Sequence, residues 1–396
     1  MSTRHQTGAH RIDGNRLTLL QNGAAYFPRL CADIDAAQHS IYLETYIYAA
    51  DYSGRMVGEA LRRAAARGVA VRLLLDGFGS AELPPHWVDE LRSAGVEVQW
   101  FRRAVSPFTL QRSRRRRLYR LHRKLAAIDG KIAFVGGINI IDDIPPDGGI
   151  SEPRLDYAVR VQGTLAGTVH TAMRRLWNMV SWATLHRRSK AMNWRSGRTS
   201  MPAPDEPVAL LIRDSLRHRR DIERAYLRAI VGARSEIIIA NAYFLPGRMF
   251  RRALIQAAKR GVRVVLLLQG RVEYWLQHYA TQALYDRLLA AGIEIHEYQA
   301  SHLHAKVAVI DGVWATVGSS NIDPFSLLLA REANLVVQDA GFAQELRASL
   351  LAEIASHGLR VHQSGKSFRA RALARVSYGF IRLLVGMFVS PRKRRE

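Results

Sequence analysis

One segment occurs twice in this chain with its internal spacing intact, and that repetition constrains the fold more than any other feature. The first copy runs His122-Arg-Lys124, then Asp129-Gly130, then Gly136-Gly137-Ile138-Asn139. The second runs His304-Ala-Lys306, then Asp311-Gly312, then Gly318-Ser319-Ser320-Asn321. With 14 His and few Lys in 396 residues, roughly 0.01 accidental His-x-Lys-x4-Asp matches are expected. The repeat extends well beyond the motif. Gly68 to Gly77 (GVAVRLLLDG) matches Gly261 to Gly270 (GVRVVLLLQG), each after an Ala/Arg-rich stretch, and Ser40 to Tyr48 matches Ser235 to Phe244. Helical stretches feeding β-branched, apolar runs predict helix and strand alternating in the same order in both halves. The fold class expected is α/β: two similar domains with mixed, mostly parallel sheets.

Around the motif, LHRKLAAID and LHAKVAVID read as strands, and Asp-Gly between two apolar runs is a hairpin signal. Residues two apart on a strand share a face. His122 and Lys124 should therefore project together, as should His304 and Lys306, from an exposed face. Leu303, Ala305, Val307 and Val309 should face the core. Small residues end the following strand, where a backbone can approach a ligand closely. The boundaries expected are a first domain over 1–187, a polar, then Pro-rich linker over 188–207, a second domain over 208–362 and a C-terminal tail over 363–396.

Composition narrows the setting. A single cysteine, Cys31, excludes an intramolecular disulfide framework and an all-cysteine metal site. No apolar run of membrane-spanning length appears, and the polar N-terminus does not read as a secretory signal. Basic residues exceed acidic ones, 58 to 34, a net charge of +24. Such an excess suits a polyanionic partner, nucleic acid or an anionic membrane. Part of it reflects a general preference for Arg over Lys. The clusters say more than the total. Arg112, Arg114, Arg115, Arg116 and Arg117 form one run, and Arg392, Lys393, Arg394 and Arg395 form another near the C-terminus.

The paired motifs resemble the hallmark of the phospholipase D superfamily. LLQNG at 19–23, IYLETYIY at 41–48, IIIANAYFLPG at 237–247 and WATVGSSNIDPFSL at 314–327 are similar to bacterial cardiolipin synthases, the B-type in particular. The resemblance covers nearly the whole chain. It implies two phospholipase D-like α/β domains packed around one shared active site, without cofactor or metal. His122 would be the nucleophile and His304 the acid/base, with Lys124, Lys306, Asn139, Asn321 and Ser319 around the phosphate. Asp156 and Glu332 match the acidic residues that orient the histidines. Asp129 and Asp311 belong to the motif as catalytic members or, equally, as braces of the hairpin turn. Gly137 departs from the serine that many members carry. Glu44, Tyr46 and Tyr243 fall at strand ends near the expected site.

The implied reaction is phosphatidyl transfer between two phosphatidylglycerol molecules, giving cardiolipin and glycerol through a phosphohistidine. A phospholipid hydrolase, or a phosphodiesterase acting on DNA, remains the alternative. Two features favour lipid. The first half carries about 15 more residues than the second just before its histidine (24 from Val98 to His122, 9 from Ile295 to His304), and they hold the Arg112 to Arg117 run among Phe108, Leu110, Leu118 and Tyr119. Phe368 to Val389 alternates apolar and Arg residues at mostly helical spacing, a pattern for lying in a bilayer interface. The expected partners are anionic phospholipids and a membrane surface rather than nucleic acid. The expected location is the cytoplasmic side of the inner membrane, held peripherally.

Overall fold

The computed structural model describes residues 8–102, 120–144, 150–185, 206–214, 218–272, 275–323 and 330–362, with 376, 377 and 379. Arg112, the run Arg114 to Arg117, nearly all of the linker 188–207 and, apart from those three positions, the tail 363–396 lie outside the described residues. The strands in chain order are β1 (Ala9–Ile12), β2 (Asn15–Gln21), β3 (Ser40–Thr45), β4 (Ala70–Asp76), β5 (Glu97–Phe101), β6 (Arg120–Leu121), β7 (Lys124–Ile128), β8 (Ile132–Gly136) and β9 (Tyr157–Gln162) in the first half. The second half holds β10 (Val208–Arg213), β11 (Glu236–Asn241), β12 (Arg263–Gln269), β13 (Glu294–Tyr298), β14 (Lys306–Ile310), β15 (Trp314–Gly318), β16 (Ala330–Gln338) and β17 (Gly358–Arg360).

Two mixed sheets result. The first has the order β1-β2-β9-β8-β7-β3-β4-β5, and the second β10-β16-β15-β14-β11-β12-β13-β17 with β6 added on β16. The expected predominance of parallel pairing is corrected. Only β3–β4–β5 and β11–β12–β13 run parallel along these two orders, and every other neighbour pair is antiparallel. The reason is local. Helices Tyr52–Ala66, Pro85–Ser93 and Arg248–Lys259 make parallel crossovers possible. The Asp-Gly turns instead force hairpins β7–β8 and β14–β15. Both turn residues are left-handed in each copy, φ 52° and 64° at Asp129-Gly130 and 52° and 65° at Asp311-Gly312, as the primed hairpin turns require.

Alternation along the strands divides the cores. On β9, Tyr157, Val159 and Val161 enter a core shared by both halves. Ala158 joins an outer core with helix Asn22–Asp35, and the buried Arg160 on that side pairs with Asp33. Helices Thr164–Leu185 and Ala340–His357 contribute Met173, Phe342 and Leu346 to the shared core. Ion and hydrogen-bond pairs bind its rim: His10 to Glu345, Gln21 to Glu353, and Tyr157 to Ser349. β6, from the first half, lies parallel to β16 of the second. This exchange brings the two histidine segments together.

Candidate active site

Each histidine stands just before a catalytic-motif strand, at the sheet end where the parallel strands finish. Both are pinned by backbone bonds to the opposite half. The His122 N–H donates to Arg331 O at 3.0 Å, and the His304 N–H to Leu155 O at 2.9 Å. Those acceptors each precede a carboxylate by one residue, so the carboxylates arrive in trans. His122 Nδ1 lies 3.1 Å from Glu332 Oε2, and His304 Nδ1 lies 2.6 Å from Asp156 Oδ2. The sequence marks both acids; it does not say that each serves the histidine of the other copy.

The lysines are buried, not on an exposed face as expected: Lys124 is 3% and Lys306 0% exposed. Their ammonium groups turn back onto the backbone, Lys124 Nζ to His122 O at 2.8 Å and Lys306 Nζ to His304 O. Burial, then the neighbouring Lys306, pushes Lys124 down to about 7. His122 is lowered chiefly by burial, against the pull of Glu332. His304 falls well below the ordinary histidine value through burial, then Lys306, Lys124 and His122. Asp156 is pushed up to about 6 by burial, against Lys306. Each histidine thus feels the lysines of both copies. Burial and the two lysines both disfavour the protonated form of the histidines.

Tyr46 completes the wall. Its ring meets the His122 ring at 4.8 Å, and Lys124 Nζ stands 5.3 Å from its centroid. Glu44 lies behind, clamped at 2.9 Å by both Arg123 Nε and Nη2. Ser319 Oγ donates to Glu332 Oε2 at 2.5 Å. Gly137, in the corresponding place, leaves room for Asp156, because a Cβ there would meet its Oδ1 at 2.2 Å. The close approach that these small residues permit is therefore to the opposing strand and its carboxylate. Asn139 and Asn321 are buried beside the motif. Asn139 Oδ1 takes the Ile47 N–H at 3.2 Å, while Asn321 Oδ1 has no partner.

Asp129 and Asp311 are not in the site. Seven residues from the histidine on a chain rising about 3.3 Å per residue, they sit at the far turn. Asp129 accepts the N–H groups of Gln38, His39 and Ser40, and Asp311 those of Arg234, Ser235 and Glu236. Of the two roles expected for them, the bonds they make are those of turn braces. Two positioning groups were missed. Asp76 Oδ2 accepts the Leu121 N–H at 2.7 Å, and Gln269 Oε1 the Leu303 N–H at 2.8 Å, in each case one residue before the histidine. Their signal was the polar residue that closes the otherwise apolar LLLD and LLLQ runs.

The family described as "Cardiolipin synthase, PLD-like domain" matches residues 30–143 and 226–353. Cardiolipin synthase B of Escherichia coli K12 is 39% identical over 363 residues, 89% of this chain and 83% of that protein. A probable cardiolipin synthase of Bacillus subtilis is 30% identical over 84% of this chain and 65% of its own length. Among solved structures, the phosphatidylserine synthase of Haemophilus influenzae superposes with a TM-score of 0.67 over 97% of each chain at 12% identity, a likeness of fold alone.

Proposed function

The chain belongs to the PLD-like cardiolipin synthase family, a family of phosphatidyltransferases, and from that premise we propose that it joins two phosphatidylglycerol molecules into cardiolipin and glycerol. The observation that carries the reading is a pair of imidazoles, each held by a carboxylate from the other half, facing one field of two buried lysines. His122 Nε2 attacks the phosphorus of one lipid. The P–O bond to glycerol breaks, and His304 gives that oxygen its proton. His304 then takes the proton of a hydroxyl on the second lipid, whose oxygen attacks phosphorus and releases His122. Lys124 and Lys306 stabilise the charge that builds on the non-bridging oxygens. The negative substrate offsets the lysines and lets His304 hold the proton it must deliver.

A lipid surface suits the site's mouth. Large apolar side chains stand exposed on segments that leave the site end of the parallel strands: Tyr52 after β3, Phe78 after β4, Met249 after β11, and Val272 and Trp275 after β12. Arg120 lies over the Phe78 ring at 4.7 Å. Aromatic and basic groups side by side fit the interface of an anionic bilayer. Among the described residues no helix is long and apolar enough to cross a membrane. The exposed aromatic and basic groups at the mouth are what support placing the protein peripherally, on the cytoplasmic face of the inner membrane. The deciding experiment incubates purified protein with labelled phosphatidylglycerol vesicles and identifies the products. Cardiolipin plus glycerol supports the reading. Phosphatidic acid alone means a hydrolase, and plasmid nicking lost in His122→Ala without any lipid product means a nuclease.

A further inference from the structure

A buried cation behind one of the two carboxylates has no part in the scheme above. Arg213 ends β10 and stands opposite Glu332 in the antiparallel register. It is 1% exposed, and its Nη1 has no hydrogen-bond partner. Glu332 Oε1 is likewise unpartnered, while Oε2 takes both the Ser319 hydroxyl and His122 Nδ1. Among the described residues, no arginine of the first half takes the corresponding place across the register from Asp156. Opposite Asp156 stands Asn22, which only grips the Asp156 backbone, N–H to Asp156 O at 2.9 Å and Oδ1 from the Asp156 N–H at 3.0 Å. The two histidine–carboxylate pairs, alike in plan, are electrostatically unequal.

Burying a guanidinium is costly even where carboxylates face it, and an apolar residue of similar size would serve the fold as well or better. Its value lies with the neighbour. The charges facing Arg213 are Glu332 from β16, Asp323 after β15, Arg219 before the helix Asp221–Gly232 and Glu223 on it. Glu332 in turn faces His122 and Lys124 from the first half. We propose that Arg213 is a positioning residue for the transfer, its fixed charge across the register from Glu332 keeping that carboxylate set against His122, where it can balance the positive charge arising on the His122 ring when that ring is phosphorylated.

The proposal rests on the reading that His122 carries the phosphatidyl group. When Nε2 bonds to phosphorus and the glycerol oxygen leaves with the His304 proton, the His122 ring keeps its Nδ1 proton and becomes cationic. A fixed negative charge at Nδ1 is what that state needs. His304 has the opposite task, losing and regaining a proton in each cycle. Its partner Asp156, pushed up to about 6 by burial and without a guanidinium behind it, suits a proton that moves.

The test uses the full chain with Arg213→Met, Arg213→Gln and Arg213→Lys. Transfer between phosphatidylglycerol molecules is followed against pH, with melting temperature and with mass-spectrometric location of the trapped phosphoryl group in the wild type. Arg213→Met and Arg213→Gln should move the acid limb of kcat upward by about one pH unit and lower kcat near neutrality about tenfold, with KM little changed. Arg213→Lys should keep the wild-type limb, and Arg213→Met should melt no lower than the wild type. Should Met fail to fold, Gln carries the same readout. A lowered melting temperature with an unmoved limb would reduce Arg213 to a structural residue and overturn the proposal. A trapped group on His304 refutes the underlying assignment. A trapped group on His122 with an unmoved limb refutes the role of Arg213 alone.

Discussion

Adding one methyl group at Gly137 should disable the site while leaving the fold intact. A Cβ built there falls 2.2 Å from Asp156 Oδ1, 2.7 Å from Oδ2 and 2.8 Å from Cγ. Carbon–oxygen contact needs more than 3 Å, so the carboxylate must retreat by about 1 Å. Its bond to His304 Nδ1, 2.6 Å in the native protein, would then open beyond hydrogen-bonding length. A hydrogen bond to a charged group contributes about 1.5–3 kcal/mol, which corresponds to a loss of about 10- to 150-fold in kcat. The assay is initial-rate transfer on phosphatidylglycerol vesicles, run for Gly137→Ala, Asp156→Ala and the double variant. If Gly137 acts only by making room for Asp156, the double variant is no slower than Asp156→Ala. A Gly137→Ala enzyme within threefold of wild type, or a double variant slower by the product of the two effects, refutes the reasoning.

Sulfate, whose charge is constant across the range, should raise the melting temperature more at about pH 6 than at about pH 8.5. Lys124, lowered to about 7, carries its proton only on the acid side of that window, so the site is more positive there. An equal shift at both pH values in a thermal melt would contradict it. Asp129→Ala and Asp311→Ala should each lower the melting temperature and leave turnover per folded molecule within about twofold, since each carboxylate binds three backbone N–H groups far from the histidines. Both carboxylates are held below their ordinary value by those N–H groups. Their bracing is therefore present above the ordinary carboxylate value and fades as pH falls through the lowered one. A turnover loss without a stability loss would return them to the site.

The repeat made the α/β class, the hairpins and the motif residues readable, because periodicity and Asp-Gly turns are local signals. What it hid was non-local. Nothing in RLDYAVRV or REANLVV says that Asp156 serves His304 and Glu332 serves His122, since that follows from β6 lying against β16 and Leu155 bridging Leu303. The predominance of antiparallel pairing was underestimated because helix–strand alternation is conspicuous, whereas β2 and β10 find β9 and β16 only in space. The lysines looked solvent-facing because an alternating strand normally has a wet face. Here the wet face of each half is covered by the other half.

Trans pairing also explains why both copies must be retained. In a single half, a histidine would lose the carboxylate at its Nδ1 and the backbone acceptor of its own N–H at once. The carboxylate left behind would lie at the surface without a partner. Two asymmetries sit on top of that exchange: Ser319 in one copy takes the place of Gly137 in the other, and Arg213 the place of Asn22. Neither disturbs the shared backbone plan, and both, on the role proposed for Arg213, bear on a carboxylate rather than on an imidazole. Divergence after duplication can thus set the two histidines to different tasks without moving either ring, because the tuning groups belong to the partner acids.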